Sequence, residues 1–145
     1  MRRAVISMLV VAIALDAAYW SIWFTRRDWI ASEHTQSYYD FENAFPLADV
    51  WLGLACVLAV VTLVRRHPTA LLWLVATGAA GLYLGCMDLL YDLEHGIFAK
   101  GPGGAFEALI VALTWVFAGT VLSWSWRHRA ELLAQDRLVR AEAAR

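Results

Sequence analysis

Charged residues and cysteines are scarce in this chain, and both shortages exclude classes of protein. Only 17% of its 145 residues are charged, whereas 61% are hydrophobic. A soluble domain has about a quarter of its residues charged and about half of them apolar. The net charge is −1, so no nucleic-acid partner is expected. The composition instead indicates a protein that is solvated mainly by lipid.

The cysteines give no sign of redox chemistry. Cys56 and Cys86 are the only two, and they lie in separate apolar segments without a Cys-x-x-Cys motif. This arrangement argues against a disulfide relay and is typical of small apolar packing residues. Glu33-His34 and Glu94-His95 carry metal-binding side chains, but their spacing matches no established metal motif. We therefore expect neither a bound metal nor another cofactor.

The hydrophobic residues form four long runs. A helix needs about 20 apolar residues to cross a hydrocarbon core of about 30 Å. The runs that meet this length cover about 4–24, 46–64, 70–91 and 106–126. They predict an all-α integral membrane protein, a bundle of four transmembrane helices.

The first run has a second interpretation. Arg2-Arg3 followed by apolar residues resembles a signal peptide, with a possible cleavage site at 12–14. The run nevertheless continues to Phe24 and ends in aromatic residues such as Trp20 and Trp23, which are typical of a membrane interface. We favour a helix that is retained in the mature protein.

The basic residues predict the orientation of the chain. Nine of the twelve lie at the N-terminus, between the second and third runs, and within 127–145. By the positive-inside rule, both termini are cytoplasmic. Every basic residue except Lys100 is arginine, which favours a GC-rich bacterium and hence its inner membrane. We expect a transmembrane domain over 1–126 and a cytoplasmic helical tail over 127–145.

The connection between the first and second runs is too apolar for a solvated loop. Ser37 followed by Asp40 has the spacing of a helix capping box. We therefore predict a short interfacial helix that begins near Ser37. Pro46 either begins the next helix at its first turn or kinks a longer continuous helix.

Two short stretches of similar sequence are predicted to lie at the same membrane face. YDFENAF (39–45) precedes the second run, and YDLEHGIF (91–98) follows the third. We expect them to form opposite rims of one site, although chance also explains a likeness this short. Asp92 and His95 share a helix face, so they are a candidate coupled pair near neutral pH.

Acidic residues recur at helical spacing on faces that should meet inside the bundle. Gly81, Gly85, Asp88 and Asp92 follow steps of four, three and four. Small residues allow helices to approach closely in lipid. Asp88 should therefore face another helix rather than the lipid.

A matching stripe precedes and enters the second run. Glu42 and Asp49 lie on it, although Asp49 also suits the start of a helix, where negative charge is favoured. Asp16 is the deepest acid and shares its face with Tyr19 and Trp20. Glu107 opens the fourth run on the same side of the membrane.

Ionisable residues inside a membrane are costly and are functional candidates by default. The predicted catalytic residues are Asp16, Asp88, Asp92 and His95. The predicted ligand-binding residues are Trp20, Trp23, Tyr38, Glu42, Asp49, Tyr91, Glu94 and Glu107, with Tyr83 as a further aromatic wall. The alternative is that Asp92, Glu94 and Glu107 simply lie in interfacial water.

Three functions fit such a site. It could form an outward-facing cavity for a membrane lipid or another lipophilic or amphiphilic small molecule, with acids and rings suited to a cationic headgroup. It could isomerise or cyclise a polyprenyl or sterol-like substrate by acid–base chemistry. It could instead belong to a non-catalytic subunit whose acids pair with a partner membrane protein. The plan of four helices with acids near one end is broadly similar to the emopamil-binding type of membrane isomerase and sterol-binding protein, a likeness from which no residue role carries over.

Overall fold

The computed structural model describes residues 2–134. Helices form at α1 (Arg2–Arg26), α2 (Gln36–Glu42), α3 (Pro46–Val64), α4 (Ala70–His95) and α5 (Gly101–Arg127). Short 3-10 helices occupy Arg27–Trp29 and Ile97–Ala99, and no strand occurs between residues 2 and 134. Residues 129–134 of the predicted tail are helical. The remainder of that tail, 135–145, lies outside the described residues.

Four helices are long and apolar enough to cross a membrane, which confirms the predicted multi-pass bundle. Three of them extend beyond the predicted bounds, α1 by two residues at each end. α4 continues to His95 because Gly96, with φ of 62°, supplies the left-handed residue that ends it. α5 begins at Gly101 rather than near 106, since a proline suits the first turn of a helix.

The connection between α1 and α3 contains a separate short helix, α2. Thr35, rather than Ser37, caps it: its side chain accepts a hydrogen bond from Tyr38 N at 3.3 Å. Pro46 lies in the first turn of α3, and i to i−3 hydrogen bonds at Ala44 N and Phe45 N link α2 to α3, so the two form one interrupted helical span. The position of α2 at a membrane interface and the cytoplasmic termini stay predictions.

Each long helix packs on the next in the order α1, α3, α4 and α5. The predicted close approach of α4 is made to α5. A Cβ on Gly81 would lie 3.4 Å from Ala118 Cβ, and one on Gly85 would lie 3.0 Å from Trp115 Nε1. Trp115 Nε1 donates to Gly85 O at 3.1 Å, a bond that a larger residue would disturb. The small residues of α4 therefore allow close packing against α5 of the same chain.

The interior divides into two clusters at opposite ends of the bundle. The aliphatic end gathers the start of α1, the end of α3, the start of α4 and the end of α5; its buried residues are Val5, Leu9, Cys56, Ala59, Leu63, Ala70, Leu74, Val121, Trp124 and Leu132. The aromatic end lies around Trp23, Tyr38 and Ile97. Every predicted site residue belongs to the helix halves that meet at the aromatic end.

Candidate functional site

The aromatic end brings carboxyl groups from five helices close enough to repel one another electrostatically. We define the acidic cluster as Asp16 of α1, Glu42 of α2, Asp49 of α3, Asp88 and Asp92 of α4, and Glu107 of α5. Asp88 is central, because it is near Glu42, Asp92 and Glu107 as well as Asp49. The helical stripes read from the sequence thus converge in space.

Three members of the acidic cluster are almost completely buried. Asp92 is 2% exposed, and Glu42 and Glu107 are each 6% exposed. Asp16, Asp49 and Asp88 are half-buried. A carboxyl group this deep in an apolar bundle needs a proton, a cation or hydrogen-bond donors to offset its loss of solvation.

Within residues 2–134, no cation forms an ion pair with the acidic cluster. The ion pair in this part of the chain joins Lys100 Nζ to Glu33 Oε2 at 2.6 Å, and neither residue is a member. Arg26 and Arg27 stack instead over the rings of Trp29 and Tyr39. The basic side chains of the described residues therefore do not pair with the carboxyls of the cluster.

Neutral donors from α1 hold the polar groups of α2 and α3. Successive aromatic residues on one face of α1 each donate one hydrogen bond across the interface. The bonds run from Tyr19 Oη to Glu42 Oε2 at 2.9 Å, from Trp20 Nε1 to Asp49 Oδ2 at 2.9 Å, and from Trp23 Nε1 to Asn43 Oδ1 at 3.1 Å. These bonds fix α1 against the α2–α3 junction and orient two of the carboxyls.

Glu107 is held from the connection that follows α1. Ser32 Oγ donates to Glu107 Oε2 at 2.9 Å and also lies 3.1 Å from Gly103 O. Ser32 N donates to Tyr38 Oη at 3.4 Å, which ties the same segment to the aromatic core. The segment thus covers the start of α5 and the side of α2.

Asp16 meets α3 at a glycine. A Cβ built on Gly53 would lie 3.3 Å from Asp16 Oδ2, so the absence of a side chain at Gly53 leaves room for the carboxyl. Asp49 lies one turn earlier on the same helix. The deepest predicted acid therefore faces α3 rather than lipid.

Asp92 and its neighbour Tyr91 stand out within this network. Asp92 Oδ2 and Tyr91 Oη are buried, yet neither has a hydrogen-bond partner among the described residues. Most buried polar atoms in proteins are paired, so such an exception points to a group that is absent from the polypeptide. Both atoms belong to side chains of α4 at the acidic cluster, where a ligand could form hydrogen bonds with them.

Aromatic rings surround the acids, as the sequence predicts for part of the set. Tyr38 and Trp23 are buried. The Tyr91 ring lies between two other rings. The centroid of the Phe41 ring is 3.8 Å away on one face, and that of the His95 ring is 4.0 Å away on the other. Stacked on both faces, the Tyr91 ring is held with its hydroxyl in the buried interior.

Three predicted residues lie at the surface. Tyr83 is 66% exposed, so it is not part of the aromatic wall, because it points away from the helix face that carries Asp88. Glu94 is exposed, as is His95, whose Nδ1 donates to Tyr91 O at 2.9 Å. In the described chain no hydrogen bond joins His95 to Asp92.

The acids are arranged to spread negative charge rather than to hold one small ion. Across the described residues, no group of three His, Cys, Asp or Glu side chains is placed to ligate a metal.

Sequence reasoning missed several residues that complete the site. Tyr19 was recognised only as a neighbour of Asp16, although it donates to Glu42. Phe41 stacks on Tyr91, and Asn43 accepts from Trp23. Ser32 gave no signal, because a single serine in an irregular connection carries no periodicity.

No protein-family model matches this chain, and no curated protein or solved structure is significantly similar to it. A function for the acidic cluster is therefore inferred from the chemistry of its own residues. Its chief features are buried carboxyls, neutral donors and the unpartnered Asp92 Oδ2.

Proposed function

We propose that this multi-pass membrane protein binds an amphiphilic small molecule with a cationic headgroup at the acidic cluster. The observation that carries the proposal is Asp92, which is 2% exposed and has a carboxylate oxygen without a partner within residues 2–134. A positive group seated there would satisfy Asp92 and offset the repulsion among the neighbouring acids.

Electrostatics favour a cation over an anion or a neutral lipid. Asp88 is near four other acids, so a positive charge bound beside it would favour several ionised carboxyls at once. The buried rings of Tyr38 and Trp23 add apolar walls. An anionic headgroup would instead add to the unfavourable charge.

The distribution of burial supports entry from the side of the bundle. Asp16, Asp49 and Asp88 retain exposed surface, whereas Glu42, Asp92 and Glu107 are enclosed. A headgroup can meet the half-buried acids first and then reach Asp92. The apolar tail of the ligand would stay in the hydrocarbon region beside the helices.

Membrane orientation forms part of the same proposal. We place the chain in a bacterial inner membrane with both termini in the cytoplasm, since the arginines collect at the aliphatic end. The acidic cluster then opens toward the outer leaflet, and the ligand comes from that leaflet.

Acid–base catalysis on the bound molecule is a second candidate function, favoured by one specific observation. Glu42 receives a hydrogen bond from Tyr19, while Asp92 Oδ2 receives none in the described structure. Two carboxyls in unlike environments can divide the roles of proton donor and proton acceptor. An isomerase or cyclase acting on a polyprenyl or sterol-like substrate would use such a pair.

The test is mass spectrometry of small molecules that co-purify with the protein in mild detergent. Wild type is compared with Asp92→Asn and with Glu94→Gln, a matched control because Glu94 lies two residues away on the same helix and is exposed. We expect one amphiphilic cation in wild type and in Glu94→Gln, and its loss from Asp92→Asn. Circular dichroism and gel filtration confirm that each variant is folded.

Two outcomes would contradict binding. One is equal retention of the molecule by Asp92→Asn. The other is a wild-type protein that carries no small molecule but is isolated with a stoichiometric membrane protein, which would favour the role of a subunit. Turnover of the isolated molecule by wild type, but not by Asp92→Asn, would extend binding to catalysis.

A further inference from the structure

A groove on the outer face of α5 lies away from the acidic cluster. Its volume is about 510 Å³, within the range of small-molecule sites. The lining residues are Trp115, Val116, Gly119, Thr120, Ser123, Trp124, Arg127 and His128. They follow two parallel rows of four-residue steps, so the groove runs along the helix axis.

The middle of the groove is lined by small side chains. A Cβ on Gly119 would meet no other atom within 4 Å, so this position is open to the outside. Trp115 and Trp124 are large residues on either side of it. Trp115 and His128 are 13 residues apart, about 20 Å along a helix at 1.5 Å per residue. That length exceeds half of the roughly 30 Å hydrocarbon core, as one acyl chain requires.

One end of the groove is basic and polar. Arg127 and His128 lie there, and Arg127 forms no ion pair with any other described residue. The carbonyls at the end of α5 do not oppose an anion strongly, because they are already bonded. His128 Nδ1 donates to Trp124 O at 2.9 Å, and Arg129 Nη1 donates to Trp126 O at 2.7 Å.

Trp124 is the buried residue of the groove lining. It is 9% exposed, and its Nε1 is buried without a hydrogen-bond acceptor in the described residues. Its ring stacks on His128 at 4.5 Å.

We propose that this groove binds one anionic phospholipid, with its phosphate at Arg127 and an acyl chain over Gly119. Charge complementarity selects the headgroup: the turn at the same end of the bundle carries Arg65 and Arg66, and clustered arginines attract anionic lipid. The hydroxyls of Thr120 and Ser123 lie along the wall beside the ester region of the lipid.

A second copy of the chain is the competing occupant, because Gly119 and Ser123 have the spacing of a small-residue helix contact. Charge disfavours it. Two copies inserted in the same direction and paired symmetrically through this face would bring their Arg127 side chains together. The lipid relieves that positive charge, whereas the second copy increases it.

The experiment is native mass spectrometry of the full chain after titration with dioleoyl phosphatidylglycerol or dioleoyl phosphatidylcholine. We expect wild type to bind one phosphatidylglycerol in preference to phosphatidylcholine. Arg127→Gln should weaken phosphatidylglycerol binding about fivefold, because one arginine near an anionic headgroup changes the affinity by about this factor. Gly119→Leu should abolish binding of both lipids, because its side chain fills the groove.

Ala112→Leu is the control, since Ala112 is exposed on α5 but does not line the groove; it should bind as wild type does. Unchanged phosphatidylglycerol affinity in Arg127→Gln would overturn the proposal. So would a wild-type dimer without bound lipid that becomes a monomer in Gly119→Leu. Asp92→Asn should bind phosphatidylglycerol normally, so the groove and the acidic cluster are tested separately.

Discussion

The two ends of the bundle use the same helices in different ways. The aliphatic end is filled by side chains such as Leu9, Leu63 and Leu74, which are fully buried and contain no polar atom. The aromatic end buries Glu42, Asp92 and Glu107 among rings and neutral donors. The leucines of the first end are satisfied by packing alone, whereas the buried carboxyls of the second have no cationic partner within the described residues. Stability is expected to reside mainly at the first end and binding at the second.

The difference extends to the way α1 is held. At its start, α1 contributes Val5 and Leu9 to the aliphatic cluster. At its end, the aromatic residues of α1 donate hydrogen bonds to the α2–α3 junction. Each such bond is directional, so it positions carboxyls more accurately than aliphatic contacts could. The side chains of the aromatic end are therefore held in place before any ligand binds.

Leu74→Ala should have the largest effect on stability. Leu74 is completely buried at the aliphatic end, and removing its side chain leaves a cavity. We expect the free energy of unfolding to fall by about 3 kcal/mol. Thermal unfolding in detergent measures the loss, while co-purification of the small molecule at the acidic cluster should be retained in the fraction that stays folded. Loss of that molecule from folded Leu74→Ala would show that the two ends are not separable.

Tyr19→Phe should have an intermediate effect. The change removes the donor to the buried Glu42 without altering the ring, so the carboxyl loses a hydrogen bond of 2.9 Å. We expect unfolding to become easier by about 1–2 kcal/mol, together with weaker ligand retention. Tyr83→Phe is the matched control, because Tyr83 is exposed. Equal stability of the two variants would indicate that the bond to Glu42 contributes nothing.

Hydrophobic run length accounts for most of what the sequence predicted about the fold. Four membrane-length helices follow directly from the cost of burying a polar backbone in lipid, which only long apolar helices avoid. The approach of α4 to α5 at Gly81 and Gly85 follows from the small size of these residues. The helix ends were less predictable. Gly96 ends α4 and Pro102 begins α5, and a search for long apolar runs detects neither residue.

The candidate site was only partly accessible from the sequence. Periodicity brought Asp88 and Asp92 to one face of α4, as the structure has them. The similar stretches at 39–45 and 91–98, however, bury acids at different positions. In the first, Glu42 is buried and Asp40 is exposed. In the second, Asp92 is buried and Glu94 is exposed. Similar local sequence does not determine which helix face meets the bundle, because the neighbouring helices determine it.

The most direct test of a binding role for the unpartnered Asp92 Oδ2 is the stability of ligand-free Asp92→Asn. A carboxylate retained for binding costs stability when the site is empty. We therefore predict that Asp92→Asn, stripped of bound small molecules in detergent, unfolds at the same temperature as stripped wild type or at a higher one. A variant less stable by more than about 1 kcal/mol would contradict this, because loss of a satisfied hydrogen bond has that magnitude. Asp92 would then be a structural residue.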